Sequence, residues 1–384
     1  MDFTESDEQQ MLREAVSAIA TKFGHEYYVK KAHADERTDE LWQAVAEAGF
    51  LGVNVPEEYG GGGGGISELA AVQEELAAAG CPLLVIVVSP AICATIIAKF
   101  GTEAQKQRWL PRFATGELKM AFAITEPDAG SNSHNLSLTA TKDGDIYRLN
   151  GSKYYISGVD ESPQMLVVTR TGTDEDTGRA RLSLFVVDTD APGLTTEVIP
   201  VEIVAPEKQF TLYFDDVEVP ADRLIGGPGS GLSALFAGLN PERILSAALC
   251  NGVARYALGK AATYARDRSV WGAPIGSHQG VAHPLAKAHI DVELARLMTD
   301  KAAWLYDAGV DAGEASNMAK LAAADAALVA LDQAIQTHGG NGMATEYGLA
   351  SMWGITRLLK VAPVSREMIL NFVAQHSLGL PRSY

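Results

Sequence analysis

The stretch Phe122-Ala-Ile-Thr-Glu-Pro-Asp-Ala-Gly-Ser-Asn132 lies where the chain changes its hydrophobic period. Upstream the period is helical. Met11, Leu12, Ala15, Val16, Ile19 and Phe23 predict a helix over residues 8–24, and residues 40–48 predict another, with Gly49 at its C-terminal stop. The glycine run 60–65 has no Lys and Ser/Thr behind it, so it does not read as a phosphate loop. It predicts a flexible surface turn, with Ser67 capping a helix that runs to Ala79. Residues 81–98 carry no charge but are broken by Pro82, Ser89, Pro90 and Thr95. A membrane-spanning helix needs about 20 mainly apolar residues, so a buried helix pair, or a loop and a helix, is expected.

Downstream, short β-branched runs predict strands at 137–141, 146–149, 166–169, 182–187 and 210–214. Turn residues separate them at Asp143-Gly144, Asn150-Gly151, 173–178 and Ala191-Pro192-Gly193. Hairpins or a barrel would follow. Gly226 to Gly231 reads as a linker, and from Gly231 the helical period returns, with helices expected over 241–268, 283–308, 315–336 and 363–376. Long helices with short connections predict a bundle, and their broad apolar faces predict subunit contacts. The fold class is therefore mixed α and β: a helical domain at 1–118, a β-domain at 119–228 and a C-terminal four-helix bundle at 229–384.

Composition limits the function. The 384 residues hold 31 Lys and Arg against 48 Asp and Glu, a formal charge of −17. That balance argues against non-specific nucleic-acid or anionic-membrane binding, though it allows a local basic patch for a phosphorylated ligand. The cysteines Cys81, Cys93 and Cys250 are too few and scattered for a disulfide framework or zinc site. The histidines, His33 and His134 among them, lack ligand spacing, so no metal is expected. The N-terminal segment MDFTESDEQQ reads as neither a signal nor a transit peptide. A reduced, soluble, cytoplasmic protein without integral membrane association is expected.

Two further segments make the helix–β–helix order specific: Asn150-Gly-Ser-Lys-Tyr-Tyr-Ile-Ser157 and Gln336-Thr-His-Gly-Gly-Asn-Gly342. Together with Phe122–Asn132, and with Phe214-Asp-Asp-Val-Glu-Val-Pro220 closing the β-domain, they resemble the acyl-CoA dehydrogenase family of flavoenzymes over essentially the whole chain. The resemblance implies FAD. A flavin ring needs hydrogen-bonding groups at its polar edge and apolar cover on its faces. Thr125 and Ser157 would serve the edge, and Phe122, Ile124 and Tyr155 the cover. Gly130 allows close backbone approach, and Ser131 matches a residue touching both flavin and ligand. Arg268 matches the arginine that reaches the FAD pyrophosphate from a neighbouring subunit, a task suited to a guanidinium. Trp271, Gln279, Gln336, Gly339 and Gly340 match further FAD contacts. The family implies a homotetramer and an electron-transferring flavoprotein as electron acceptor.

The implied reaction removes the α-proton of an acyl-CoA to a carboxylate while the β-hydrogen leaves as hydride, giving a trans-2-enoyl-CoA. Many members place that carboxylate where this chain has Pro363. A subset, the isovaleryl- and long-chain-type members, places it on a C-terminal-domain helix, where this chain reads Asn240-Pro-Glu-Arg243. Glu242 is then the expected base, with Pro241 at a helix start. Asn240 and Arg243 match residues near the substrate arm, and Ser365 and Glu367 match positions near the flavin. Two departures stand out. Pro363 lacks the N–H that the family uses to hold the thioester oxygen, and residues 201–209 lack the usual Gly and Ser-x-Thr. An oxidase, hydroxylase or reductase on the same fold therefore stays open, and so does a scaffold that catalyses nothing.

Overall fold

The computed structural model describes residues 4–173, 178 and 180–382, the side chain of His134 excepted. Most of the turn expected at 173–178 lies outside the described residues.

Helix α1 (Asp7–His33) opens on a capping box between Ser6 and Gln9 and is broken at Gly24. Helix α2 (Asp39–Glu47) and helix α3 (Ile66–Ala78) follow. The glycine run between them lies at the surface, as expected, and is tied down by backbone hydrogen bonds. Its amides donate to Gly52, Val53 and Val55 carbonyls, and a Cβ on Gly61 would lie 2.1 Å from the Val55 oxygen. Ser67 is not the cap of α3; Gly65 holds that position. The amides of Ile66 and Ser67 donate to the carboxylate of Asp307, at 2.8 and 2.9 Å. The uncharged segment forms α4 (Leu84–Val88), a π-helical turn (Ser89–Ala94) and α5 (Thr95–Phe100), all largely buried. Helix α6 (Glu103–Ala114) leads into the sheet.

The sheet comprises β1 (Met120–Ala123), β2 (Thr139–Asp143), β3 (Ile146–Ser157), β4 (Gln164–Thr173), β5 (Ala180–Asp188), β6 (Leu194–Ile199), β7 (Gln209–Pro220) and β8 (Leu224–Ile225). Its order is β6-β7-β3-β2-β4-β5-β8, with β1 paired in parallel to β4. Neighbours in sequence are thus not always neighbours in space. Asn150-Gly151 is not a turn: β3 runs through it with a register shift between Leu149 and Gly151. A second shift, between Lys153 and Ile156, inserts Tyr154 and Tyr155 opposite one strand position. Such bulges re-aim side chains beside binding sites. Here the bulge holds Tyr155 at φ 55 with half of its surface exposed.

Helix α7 runs from Gly231 to Asp267, so Pro241 lies inside it rather than at its start. A proline within a helix removes one N–H and orphans the carbonyl four residues earlier. That carbonyl, of Ala237, accepts from the Tyr306 hydroxyl at 2.8 Å, and Lys99 donates in turn to Tyr306 at 2.7 Å. The helix continues because a neighbour supplies the missing donor. Helices α8 (Gln279–Asp307), α9 (Gly313–His338), α10 (Trp353–Val361) and α11 (Arg366–His376) complete the bundle. The helix expected at 363–376 starts only at Arg366, where Ser365 accepts from the Met368 amide as N-cap.

One apolar core joins α1–α4 to α7–α10, with Leu76, Leu249, Ala327 and Ile355 fully buried in it. The first and last helical segments therefore share a core, while the sheet keeps its own around Leu149, Phe185 and Val217. No helix among the described residues is long and apolar enough to cross a membrane.

Candidate active site

The two motifs of the sheet are held together by a buried ion pair that motif matching did not single out. Lys153 is fully buried, and its ammonium donates to Glu126 Oε1 at 2.9 Å and to the Ile124 carbonyl at 2.8 Å. Glu126 also accepts from the Ser137 amide and hydroxyl and from the Leu138 amide. The ammonium and these donors hold the Glu126 carboxyl below its usual range against the opposing effect of burial. The Tyr154 amide donates to the Thr125 carbonyl. Residues 122–126 and 153–157 thus form one surface. Phe122 is buried, while Ile124, Thr125 and Ser157 keep partial exposure.

The donor set suits a flat heteroaromatic ring, but Ser157 is partly committed. Its hydroxyl donates to Gln209 Oε1 at 3.0 Å, which leaves its oxygen as an acceptor. Tyr155 sits edge-on to Tyr154 with 4.3 Å between ring centroids. Gly130 and Ser131 lie exposed on the loop after β1.

A second group forms on α7. Glu242 Oε2 is enclosed and has no hydrogen-bond partner. Burial pushes its carboxyl up to about 7, while the charges of Arg243 and Lys320 act the other way. Arg243 is buried, donates to Asn240 Oδ1 at 3.0 Å, and has an enclosed Nε without a partner. An enclosed acceptor and an enclosed donor, each without a partner, are both costly and mark this stretch of α7 as unusual. The Cys93 thiol, on the π-helical turn, is pushed well up by burial and by the nearby Glu242. Such turns recur at functional sites.

Lys320 was missed. It is a fully buried lysine on α9 whose ammonium donates to the Val364 carbonyl at 2.6 Å. A lone Lys in an Ala-rich helix gives no sequence signal of burial. Ser365 stands beside that loop as a helix cap, and Glu367 is exposed on the first turn of α11.

A third group lies at the far end of α7. Arg268 follows the helix directly, is exposed and pairs with no carboxylate among the described residues. Trp271 is 91% exposed at the turn between the short strands β9 (Ser269–Val270) and β10 (Ala273–Pro274). Gln279 starts α8, Gln336 lies in the last turn of α9, and Gly339 and Gly340 open the 3-10 turn that follows it. His338 stacks on Tyr264 at 4.2 Å, which brings the end of α9 against α7. Glu242 and Arg268 are 26 residues apart on one helix, about 39 Å at 1.5 Å per residue. One protomer does not bring the second and third groups to the same place.

The departing segment 201–209 docks the sheet onto the helices. Ile203 and Ala205 pack against the helical core. Glu207 Oε1 accepts from the Leu84 and Val85 amides, and burial pushes its carboxyl up to about 7.

A helical first part, a β middle and a C-terminal helical bundle define the acyl-CoA dehydrogenase fold. The chain belongs to the acyl-CoA dehydrogenase family: residues 6–117, 121–217 and 229–378 match its N-terminal, middle and C-terminal domains. It is 58% identical to acyl-CoA dehydrogenase FadE12 of Mycobacterium tuberculosis, over 100% of this chain and 99% of that protein. Among solved structures it is similar to butyryl-CoA dehydrogenase from Megasphaera elsdenii, with TM-score 0.92 and 29% identity over 98% of this chain and 100% of that one. It is also similar to PigA in its FAD complex, with TM-score 0.92 and 28% identity over 99% and 100%.

Proposed function

We propose that this enzyme is an FAD-dependent dehydrogenase of an acyl-CoA thioester, forming the trans-2-enoyl-CoA, with Glu242 as the base. The carrying observation is the enclosed, unpartnered Oε2 of a carboxyl held near neutral pH by burial. A base so poised accepts a proton at working pH, whereas an exposed Glu is too weak. Bound FAD would supply the hydride acceptor. Its ring suits residues 122–125 and 155–157, where apolar and hydroxyl-bearing groups share one surface. Arg243 and Asn240 would orient the substrate arm one turn from the base.

The phosphorylated end of a CoA has a matching feature. A groove of about 500 Å³ is lined by Lys142, Arg170 and Arg181 together with Thr139, Thr141 and Gly229. Gly229 of the groove lies two residues before the start of α7 at Gly231, and Glu242 stands about 17 Å along that helix. Three cations in one groove of a chain with formal charge −17 suit phosphate recognition.

The 39 Å between Glu242 and Arg268 supports FAD sites shared between protomers, and so a homo-oligomer, in our reading a tetramer. Exposed Ile290, Leu294, Leu297 and Trp304 on α8 offer apolar surface for it. An electron-transferring flavoprotein would take the electrons. The buried free thiols of Cys81, Cys93 and Cys250 suit the reducing cytoplasm.

A second reading rests on Pro363, which offers no N–H to a thioester oxygen: the same fold and FAD running an oxidase, hydroxylase or reductase reaction. Anaerobic titration with straight and branched acyl-CoA thioesters separates the two. Bleaching of the flavin band, lost in Glu242→Gln with FAD still bound, is the expected outcome. FAD that no thioester bleaches would sink the dehydrogenase reading and favour the second.

A further inference from the structure

Three features meet around the partly buried loop between α10 and α11. The Ala362 amide is spent on the Leu358 carbonyl at 2.9 Å. Pro363 has no amide proton, and the Val364 amide forms no hydrogen bond among the described residues. The loop therefore has almost no backbone anchoring of its own. What holds it is a single side chain from another helix, the Lys320 ammonium at 2.6 Å from the Val364 carbonyl. Lys320 is 1% exposed. A cation so enclosed is costly unless carboxylates or several acceptors surround it. The carboxylates in electrostatic reach are Glu242 on α7 and Asp325 on α9. Asp325 is already paired with Lys360 on α10. Glu242 has no hydrogen-bonded partner for its Oε2.

We propose that Lys320 is a positioning residue of this site: its one buried ammonium ties the Pro363–Val364 loop to α9 and stands as counter-charge to Glu242. The inference rests on the reading of Glu242 as the base. A proline in this loop forfeits a backbone donor, and a lysine contact from α9 fixes the loop without one. The same charge keeps the base from becoming too weak an acid. The ionisable groups facing Glu242 are Arg243 on its own helix, Lys320 on α9 and Cys93 on the π-helical turn. Those facing Lys320 are Glu242, Arg243 and Cys250 on α7 and Asp325 on α9. Of the two cations near Glu242, Arg243 has Asn240 as a hydrogen-bonded partner, whereas Lys320 joins Glu242 to the loop. Burial draws the Lys320 ammonium down to about 8, so it is mostly charged at the midpoint of Glu242 and loses its charge only above it.

The test separates the clamp from the charge. Lys320→Gln keeps a donor for the Val364 carbonyl and removes the charge. Lys320→Arg keeps the charge. Lys320→Met removes both. The protonated Glu242 carboxyl is titrated by infrared difference spectroscopy against Glu242→Gln, in FAD-loaded protein without substrate. This readout does not depend on turnover. Removing a nearby opposite charge moves a carboxyl by about 1–3 pH units. We therefore expect Lys320→Gln and Lys320→Met to raise the midpoint at least tenfold in proton affinity, and Lys320→Arg to leave it in place. Hydrogen exchange at the Ala362 amide, the bonded amide of this loop, should speed up in Lys320→Met and stay slow in Lys320→Gln.

An unchanged midpoint in Lys320→Gln, with native FAD content, overturns the counter-charge. Unchanged exchange in Lys320→Met overturns the clamp. If Lys320→Met fails to fold, Lys320→Gln against Lys320→Arg still decides the charge, and faster exchange in Lys320→Arg than in Lys320→Gln would reject the clamp. A wild-type flavin that no thioester reduces defeats the dehydrogenase reading but leaves the infrared and exchange results standing on their own.

Discussion

Replacing Glu242 with Gln should stabilise the folded protein at pH 8 while removing its activity. The Glu242 carboxyl titrates at about 7 in the fold, against 4.5 for the ordinary group, because burial disfavours the charge. Between those two pH values the folded chain keeps a proton that the unfolded chain has released. The stability linked to that proton is complete below 4.5 and is lost as pH rises through 7. Above 7 the wild type must bury a carboxylate. The shift of 7 − 4.5 = 2.5 pH units corresponds to at most about 3.4 kcal/mol. Glutamine has nearly the same shape and never ionises, so it escapes that cost. For 384 residues unfolding as a unit, the unfolding entropy is about 0.8 kcal/mol/K, and the gain is a Tm rise of about 4 °C. The assay is thermal unfolding of both proteins at pH 5, 6, 7 and 8, with saturating FAD and no thioester. The difference should be small at pH 5 and grow to its full size by pH 8. A difference that does not change with pH, or a Gln variant less stable than wild type at pH 8, would refute the claim that Glu242 is a strained buried base.

Tyr306→Phe should leave the Ala237 carbonyl without a donor beside Pro241 and cost about 1–3 kcal/mol in urea unfolding; no loss would mean that α7 tolerates Pro241 by other means. Lys153→Met should strand the Glu126 carboxylate and cost about 3–5 kcal/mol, with most of it recovered in a Glu126→Leu/Lys153→Met double variant. The comparison is made by denaturant unfolding and FAD content. Leu294→Asp and Trp271→Ala should each shift the sedimenting species to lower mass and release FAD on dilution. An unchanged mass would remove α8 and the Trp271 turn from the subunit contact.

The sequence carried the site's parts better than its wiring. The segments 122–132 and 150–157 were readable as flavin-lining candidates because they resemble the motifs of a known family. The ion pair that joins them was not, since Glu126 and Lys153 look like any two exposed charges. Their partnership depends on strand order, which local pattern does not encode. Pro241 misled for a related reason. Proline favours the first helical turn, and nothing local announces that Tyr306, 65 residues away, will satisfy the Ala237 carbonyl. Asn150-Gly151 reads as a turn by composition, yet pairing on both sides draws it into β3, and the extra residue of the bulge sits opposite it on β7. Lys320 stayed hidden because its role is created by a loop 44 residues further on.

The contact between Asp307 and the start of α3 has a consequence for how the chain is made. The Ile66 amide waits for a carboxylate 241 residues downstream. At about 5–20 residues per second, synthesis leaves roughly 12–48 s between the two. During that interval the nascent first helices expose the apolar faces that α7, α8 and α9 will cover, including those of Leu69, Val72 and Leu76. The first segment thus leaves the ribosome as an unfinished half of a shared core. A holding chaperone would meet it there, and truncation after the sheet would yield an insoluble fragment.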